Sequence, residues 1–215
     1  MIVYWILLLP TAFIAYVCGS ISTQALAGQF VFHSDLRKLG RGNVWLSNFR
    51  RIYGIKGFLL LGLVEILKAL IPILIGGLLL SIRSHGDVGR AFAAFCVMLG
   101  RLYPVFNRFR GCHGTLALVV ASFCIDPSAG FAVAVLAAGL SWFTRYLSLG
   151  ALGGAVVLIA TCVLVVDQQL VVILAALTGA LVIFRHLKAI GRLTRRQEPR
   201  LSFREDLSYK FDERL

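Results

Sequence analysis

Acidic residues are scarce in this chain: 10 Asp and Glu stand against 22 Lys and Arg among 215 residues, and all charged residues together make up 15%. So little charge excludes an ordinary soluble globular domain, whose surface needs far more. Cysteine is present without a pattern. Cys18, Cys96, Cys112, Cys124 and Cys162 lack metal-ligand spacing and four of them sit in apolar runs, so they read as small buried residues, with no metal site or disulfide framework implied. No Ser-His-Asp or Cys-His arrangement follows from spacing, because Cys112 and His113 are sequence neighbours and neighbours need not face each other. The first apolar run has no basic segment before it and no small-residue cleavage site after it, which marks a retained span and not a signal peptide. No internal repeat is visible.

What the chain has in quantity is apolar sequence: 59% hydrophobic residues and a mean hydropathy of +0.84. That composition is an integral membrane protein's. The net charge of +12 is then assigned to topology and anionic headgroups, and nucleic acid is set aside. About 20 apolar residues cross the hydrocarbon layer. On that measure the expected fold is all-α, a polytopic membrane bundle with spans near 2–26, 56–80, 90–106, 114–126, 128–144, 148–166 and 168–186. The fourth is short for a crossing, which leaves a tilted or re-entrant arrangement open. Lys and Arg concentrate at 33–56, 101–113, Arg145 and 185–215, while the alternate loops hold only Arg83 and Arg90 beside Asp87, Asp126 and Asp167. Seven spans put every basic segment on one side, the cytoplasm by the positive-inside rule, with the N-terminus outside. Residues 1–193 are expected to form the membrane domain and 194–215 a charged cytoplasmic tail.

Small residues recur within the spans, at Gly19–Ser20, Gly76–Gly77 and Gly150 with Gly153 and Gly154, and predict close helix packing. The stretch from Gly100 to Thr115 is different. It sets Arg101, Arg108, Arg110 and His113 around Pro104, Gly111 and Gly114, between two apolar runs. Glycines let backbone amides face a ligand and guanidinium groups supply positive charge, which together suit a phosphate, although basic residues also simply mark a cytoplasmic loop. Three further polar clusters fall on the same predicted side: Gly40 to Arg51, Thr144 to Ser148, and Arg185–His186 onward to Glu198. Glu65 and Lys68 lie three apart inside the second span, a placement that fits either a functional site or a structural salt bridge. With many cationic and amide donors and few carboxylates, the site calls for a substrate that carries its own negative charge.

These clusters resemble, in order and at matching spacing over nearly the whole chain, the signatures of the bacterial acyl-phosphate-dependent glycerol-3-phosphate acyltransferase family. The stretches are Gly40-Arg41-Gly42-Asn43 with Ser47-Asn48 and Arg50-Arg51, then Glu65 to Ala69, Gly100 to Phe106 with Phe109 to Gly114, Arg145 to Ala151, and His186 to Leu193 with Glu198. The resemblance implies a seven-span inner-membrane enzyme that transfers an acyl group from acyl phosphate to glycerol 3-phosphate, with its site facing the cytoplasm and without metal or cofactor. It further implies Ser47, His113 and His186 in catalysis, and Asn43, Asn48, Arg51, Lys68, Arg101, Arg110, Gly111, Gly114, Arg145, Ser148 and Glu198 in substrate binding. Membrane lipid is the surrounding partner. Four positions depart from the signatures: Arg41 replaces a serine, Arg101 a histidine, His113 a lysine and Ala189 an asparagine. Those changes raise the alternative of a repurposed paralogue that binds lipid precursors or a partner enzyme; a transporter or channel has only the number of spans in its favour.

Overall fold

The computed structural model describes residues 2–30, 46–109, 111–112 and 114–194. Every regular element among them is helical: α1 (Ile2–Ser20), α2 (Thr23–Phe30), α3 (Leu46–Ser81), α4 (Gly86–Leu102), a 3-10 turn (Val105–Asn107), α5 (Thr115–Ile125), α6 (Pro127–Thr144), α7 (Leu147–Val165) and α8 (Gln169–Thr194). Five of these contain apolar stretches long enough to cross a membrane: Gly54–Ser81, Gly86–Asn107, Pro127–Thr144, Leu147–Val165 and Gln169–Leu187. Exposed Leu, Ile, Val and Phe along them, such as Leu78, Phe131, Val135 and Leu164, are the surface lipid would wet. The two remaining expected spans are shorter apolar helices, Ile6–Ser20 and Thr115–Ile125. At 1.5 Å per residue α5 is only about 16 Å long, roughly half the hydrocarbon thickness.

The first helix stops earlier than the sequence suggested. Instead of running to residue 26 it ends at Ser20, two non-helical residues follow, and α2 starts afresh at Thr23. Ser20, Ser22, Thr23 and Gln24 interrupt the apolar run there, and polar side chains of this kind compete with backbone helix bonds. The described chain falls into two compact units, the first within Met1–Ile21 and Lys68–Arg200, the second within Ser22–Leu67 and Leu201–Leu215.

In the first unit short connections force successive helices to alternate in direction. Asp126 alone separates α5 from α6, and Arg145 with Tyr146 separates α6 from α7. Asp126 earns its place as a cap: its carboxylate accepts from the Ser128 amide at 2.8 Å and the Ala129 amide at 3.1 Å, while Pro127 opens the helix with the fixed φ it favours. Small residues bring the helices together as expected. A Cβ on Gly19 would lie 2.3 Å from the Val97 carbonyl oxygen and one on Gly100 2.2 Å from that of Tyr16, so α1 and α4 touch backbone to backbone and run parallel. Gly76 makes the same kind of approach to Ala93 and Gly89, and Gly150 to Ala137 and Ser141. The second unit contributes α2 and the front of α3, where Gly54 (φ 71°, ψ −170°) adopts a backbone conformation essentially reserved for glycine and kinks the helix. The kink sets the Arg50 guanidinium 5.7 Å from the ring centre of Phe58.

Candidate functional site

Alternation gathers the C-termini of α1, α4 and α6, the N-termini of α5 and α7 and the C-terminal turns of α8 at one end of the first unit. The turn between α4 and α5 forms its centre. Pro104 closes α4 and heads the 3-10 turn, after which Arg108 (φ 50°) and Phe109 (φ 58°) both take left-handed backbone, an uncommon and costly state for two consecutive non-glycine residues. Such a turn persists only if its surroundings hold it. Tyr16 on α1 donates to the Tyr103 carbonyl at 2.9 Å. From α8, Arg185 donates through Nε to the Leu102 carbonyl and through Nη2 to the Gly111 carbonyl, each at 3.4 Å, with its guanidinium 5.9 Å from the Tyr103 ring centre.

Gly111 lies against the end of α4, where a Cβ would sit 2.4 Å from the carbonyl oxygens of both Arg101 and Leu102. Gly114, at φ +68°, caps α5 and accepts from the Leu118 amide at 2.8 Å. The first-turn amides of α5 therefore face out of the helix beside the glycine turn, and helix N-terminal amides attract anions. The buried Thr115 hydroxyl in that turn has no hydrogen-bond partner among the described residues.

The other expected site residues divide into three groups. Arg101, in the last turn of α4, joins Gly111 and Gly114 around the turn, and Ser148 and His186 are buried at the same end, 1% and 3% exposed. Ser148 Oγ has no partner among the described residues, an unmet hydroxyl in a buried place. His186 Nδ1 lies 2.8 Å from the Val182 carbonyl and so carries the proton in the neutral ring, which makes Nε2 the lone-pair nitrogen. Arg145 is exposed, in left-handed backbone (φ 62°) at the α6–α7 turn. Lys68, on α3, donates its ammonium to the Ile21 carbonyl at 2.6 Å, so at least one of its bonds secures the chain just past α1. In the second unit, Ser47, Asn48 and Arg51 share the front of α3, with Asn48 2% exposed. Asn43, Arg110, His113 and Glu198 lie outside the described residues. Among the described residues no group of His, Cys, Asp and Glu could hold a metal ion. Arg185 was visible in the sequence only as the neighbour of His186, and its two carbonyl contacts bridge more than 70 residues, beyond the reach of local pattern.

Apolar helices that end in a basic, glycine-turned and amide-rich face define a polytopic membrane protein equipped to hold an anionic substrate. The chain belongs to the glycerol-3-phosphate acyltransferase family, which matches it over residues 9–196. It is 28% identical over 197 residues to the glycerol-3-phosphate acyltransferase of Thermoanaerobacter sp. (strain X514), covering 92% of this chain and 97% of that one. With the enzyme of the same name from Anaeromyxobacter sp. (strain Fw109-5) it shares 32% over 187 residues, covering 86% and 92%. Two crystal structures of PlsY (YgiH), an integral membrane glycerol 3-phosphate acyltransferase, share the fold. The glycerol 3-phosphate form superposes with a TM-score of 0.76 at 28% identity, covering 91% of this chain and 96% of that one. The lysophosphatidic acid form gives 0.77 at 27%, covering 93% and 98%. The protein is thus a membrane acyltransferase, and nothing favours the repurposed paralogue.

Proposed function

We propose that this enzyme transfers the acyl group of an acyl phosphate to the sn-1 hydroxyl of glycerol 3-phosphate on the cytoplasmic face of a bacterial inner membrane, forming lysophosphatidate for phospholipid biosynthesis. The observation that carries the reading is the turn at Gly111 and Gly114, pressed against the end of α4 and opening onto the α5 amides. Relatives whose solved forms hold glycerol 3-phosphate and lysophosphatidic acid support the acceptor and the product. An acyl phosphate is an activated donor, since phosphate is already a good leaving group.

In this reading the donor phosphate rests on the amides of Gly111 to Gly114 and the α5 N-terminus, helped by Arg101, Arg110 and His113. Asn43, Asn48 and Arg51 hold the acceptor phosphate, a guanidinium fork being suited to a phosphate monoester. Arg145, Ser148 and Lys68 add polar contacts to the substrates, Ser47 orients the acceptor, and Glu198 serves substrate binding from the charged tail of residues 194–215 that follows the membrane domain of 1–193. His186 Nε2 takes the proton as the acceptor hydroxyl attacks the acyl carbonyl; the carbonyl–phosphate bond breaks and the proton passes to the departing phosphate. Fixed amides and cations stabilise the charge that develops. Seven crossings, the N-terminus outside and the C-terminus in the cytoplasm are part of the proposal. Purified protein in lipid nanodiscs should convert acyl phosphate and glycerol 3-phosphate to lysophosphatidate. Folded protein that fails to do so refutes the assignment.

A further inference from the structure

Arg185 contacts no residue expected to bind substrate through its side chain, yet it grips the donor turn by its backbone. Its fork spans the last carbonyl of α4 and the carbonyl of Gly111, while Tyr103 lies against its face. The peptide after Gly111 is trans, so its N–H points opposite to its C=O. Fixing the Gly111 carbonyl toward Arg185 therefore turns the Cys112 amide away from the guanidinium, to the other side of the turn. The same two bonds restrain a segment that carries left-handed residues at 108 and 109. The positive charge also complements the carbonyl end of α4.

Building on the proposed donor site, we infer that Arg185 is a positioning residue that orients the Gly111–Cys112 peptide so that the Cys112 amide meets the phosphate of the acyl donor. It touches no reacting atom. Its effect belongs to the donor alone, because the acceptor residues lie on α3 and the chain before it.

The test uses the full-length protein in detergent with R185M and R185K, following the KM for acyl phosphate, the KM for glycerol 3-phosphate, and the binding of inorganic phosphate by calorimetry without glycerol 3-phosphate. Methionine removes both donors while keeping the stem. R185M should raise the donor KM and weaken phosphate binding on the order of tenfold, the scale of a hydrogen bond from a charged group, with the acceptor KM held within about twofold. R185K keeps the charge but loses the fork, and should fall between wild type and R185M. If R185M does not fold, a selective donor defect in R185K carries the test. Equal changes in both KM values, or unchanged donor KM and phosphate binding, would overturn the inference. Wild-type protein without turnover, but with phosphate binding that R185M weakens, would retire the proposed reaction and leave the positioning role standing.

Discussion

Replacing Gly111 by alanine is the most demanding perturbation of the donor turn. The new Cβ would stand 2.4 Å from two carbonyl oxygens and 2.6 Å from the Leu102 carbonyl carbon, all backbone atoms that no rotamer change can clear. An ordinary carbon–oxygen contact is about 3.3 Å, so the turn and the end of α4 must separate by about 1 Å. Overpacking of this kind costs about 1–3 kcal/mol of stability. A misplacement of about 1 Å at a substrate-positioning group costs on the order of 100-fold in rate. G111A is therefore expected to remain folded in detergent while its kcat/KM for acyl phosphate falls on the order of 100-fold. Gly114 meets side-chain atoms, the ends of Leu102 and Met98 at 3.2 Å and Arg101 Cγ at 3.8 Å, but sits at φ +68°. G114A should lose less, mainly the roughly 1 kcal/mol of left-handed backbone strain. Gly139 on α6 meets nothing within 4 Å, and G139A should be active and slightly more stable, by up to about 1 kcal/mol. Steady-state kinetics and thermal unfolding of the three variants decide the matter. A fully active G111A, or a G139A as impaired as G111A, would refute the steric reasoning.

Other outcomes follow from single contacts. Lys68→Met should lower stability by about 1.5–3 kcal/mol through loss of the charged bond to the Ile21 carbonyl, read by thermal unfolding; an unchanged midpoint would leave that bond without consequence. Hydrogen bonding by the Ser128 hydroxyl, with smaller help from the Ala129 and Ser128 amides and against partial desolvation, holds the Asp126 carboxyl below its ordinary range. A lowered folded-state value stabilises the protein above the unfolded carboxylate pKa of about 3.9 and is lost as pH falls through the folded one, so wild type should lose stability more steeply than D126N in acid; parallel curves would contradict the cap. For topology, a single cysteine at Ser84 should react with an impermeant thiol reagent on intact cells while one at Arg145 should not, and the reverse pattern would invert the proposed orientation. If protonated His113 replaces the lysine expected there, donor affinity should fall as pH rises through the histidine pKa, and H113K should abolish that dependence; a pH-independent, active wild type would remove the charge role.

Helix existence was legible because hydropathy and punctuation agreed. Asp126 with Pro127, and Arg145 with Tyr146, bracket α6 within a residue of where the apolar run predicts it. The glycines at 19, 76 and 150 announced packing for the same reason, as small residues have few other uses in lipid. The end of α1 was missed because Ala25, Leu26 and Ala27 resume apolar character after the polar break, and an averaged hydropathy passes over it. Part of the proposed site was legible as chemistry: the stretches singled out for charge and glycine include Arg101, Gly111, Gly114, Arg145, Ser148 and His186 at one end of the first unit, while Ser47, Asn48 and Arg51 lie in the second. Its supports were not legible. The hold of Arg185 on Leu102 and Gly111, of Tyr16 on Tyr103 and of Lys68 on Ile21 depends on which helices are neighbours, and local sequence leaves that undetermined.

The most direct measurement is turnover by the purified protein in nanodiscs, supplied with acyl phosphate and glycerol 3-phosphate, following lysophosphatidate and inorganic phosphate together. The account predicts that both appear in equal amounts, that neither forms at this rate when glycerol 3-phosphate is left out, and that G111A slows both alike. Phosphate release that ignores glycerol 3-phosphate, or folded protein that yields no lysophosphatidate, would contradict it.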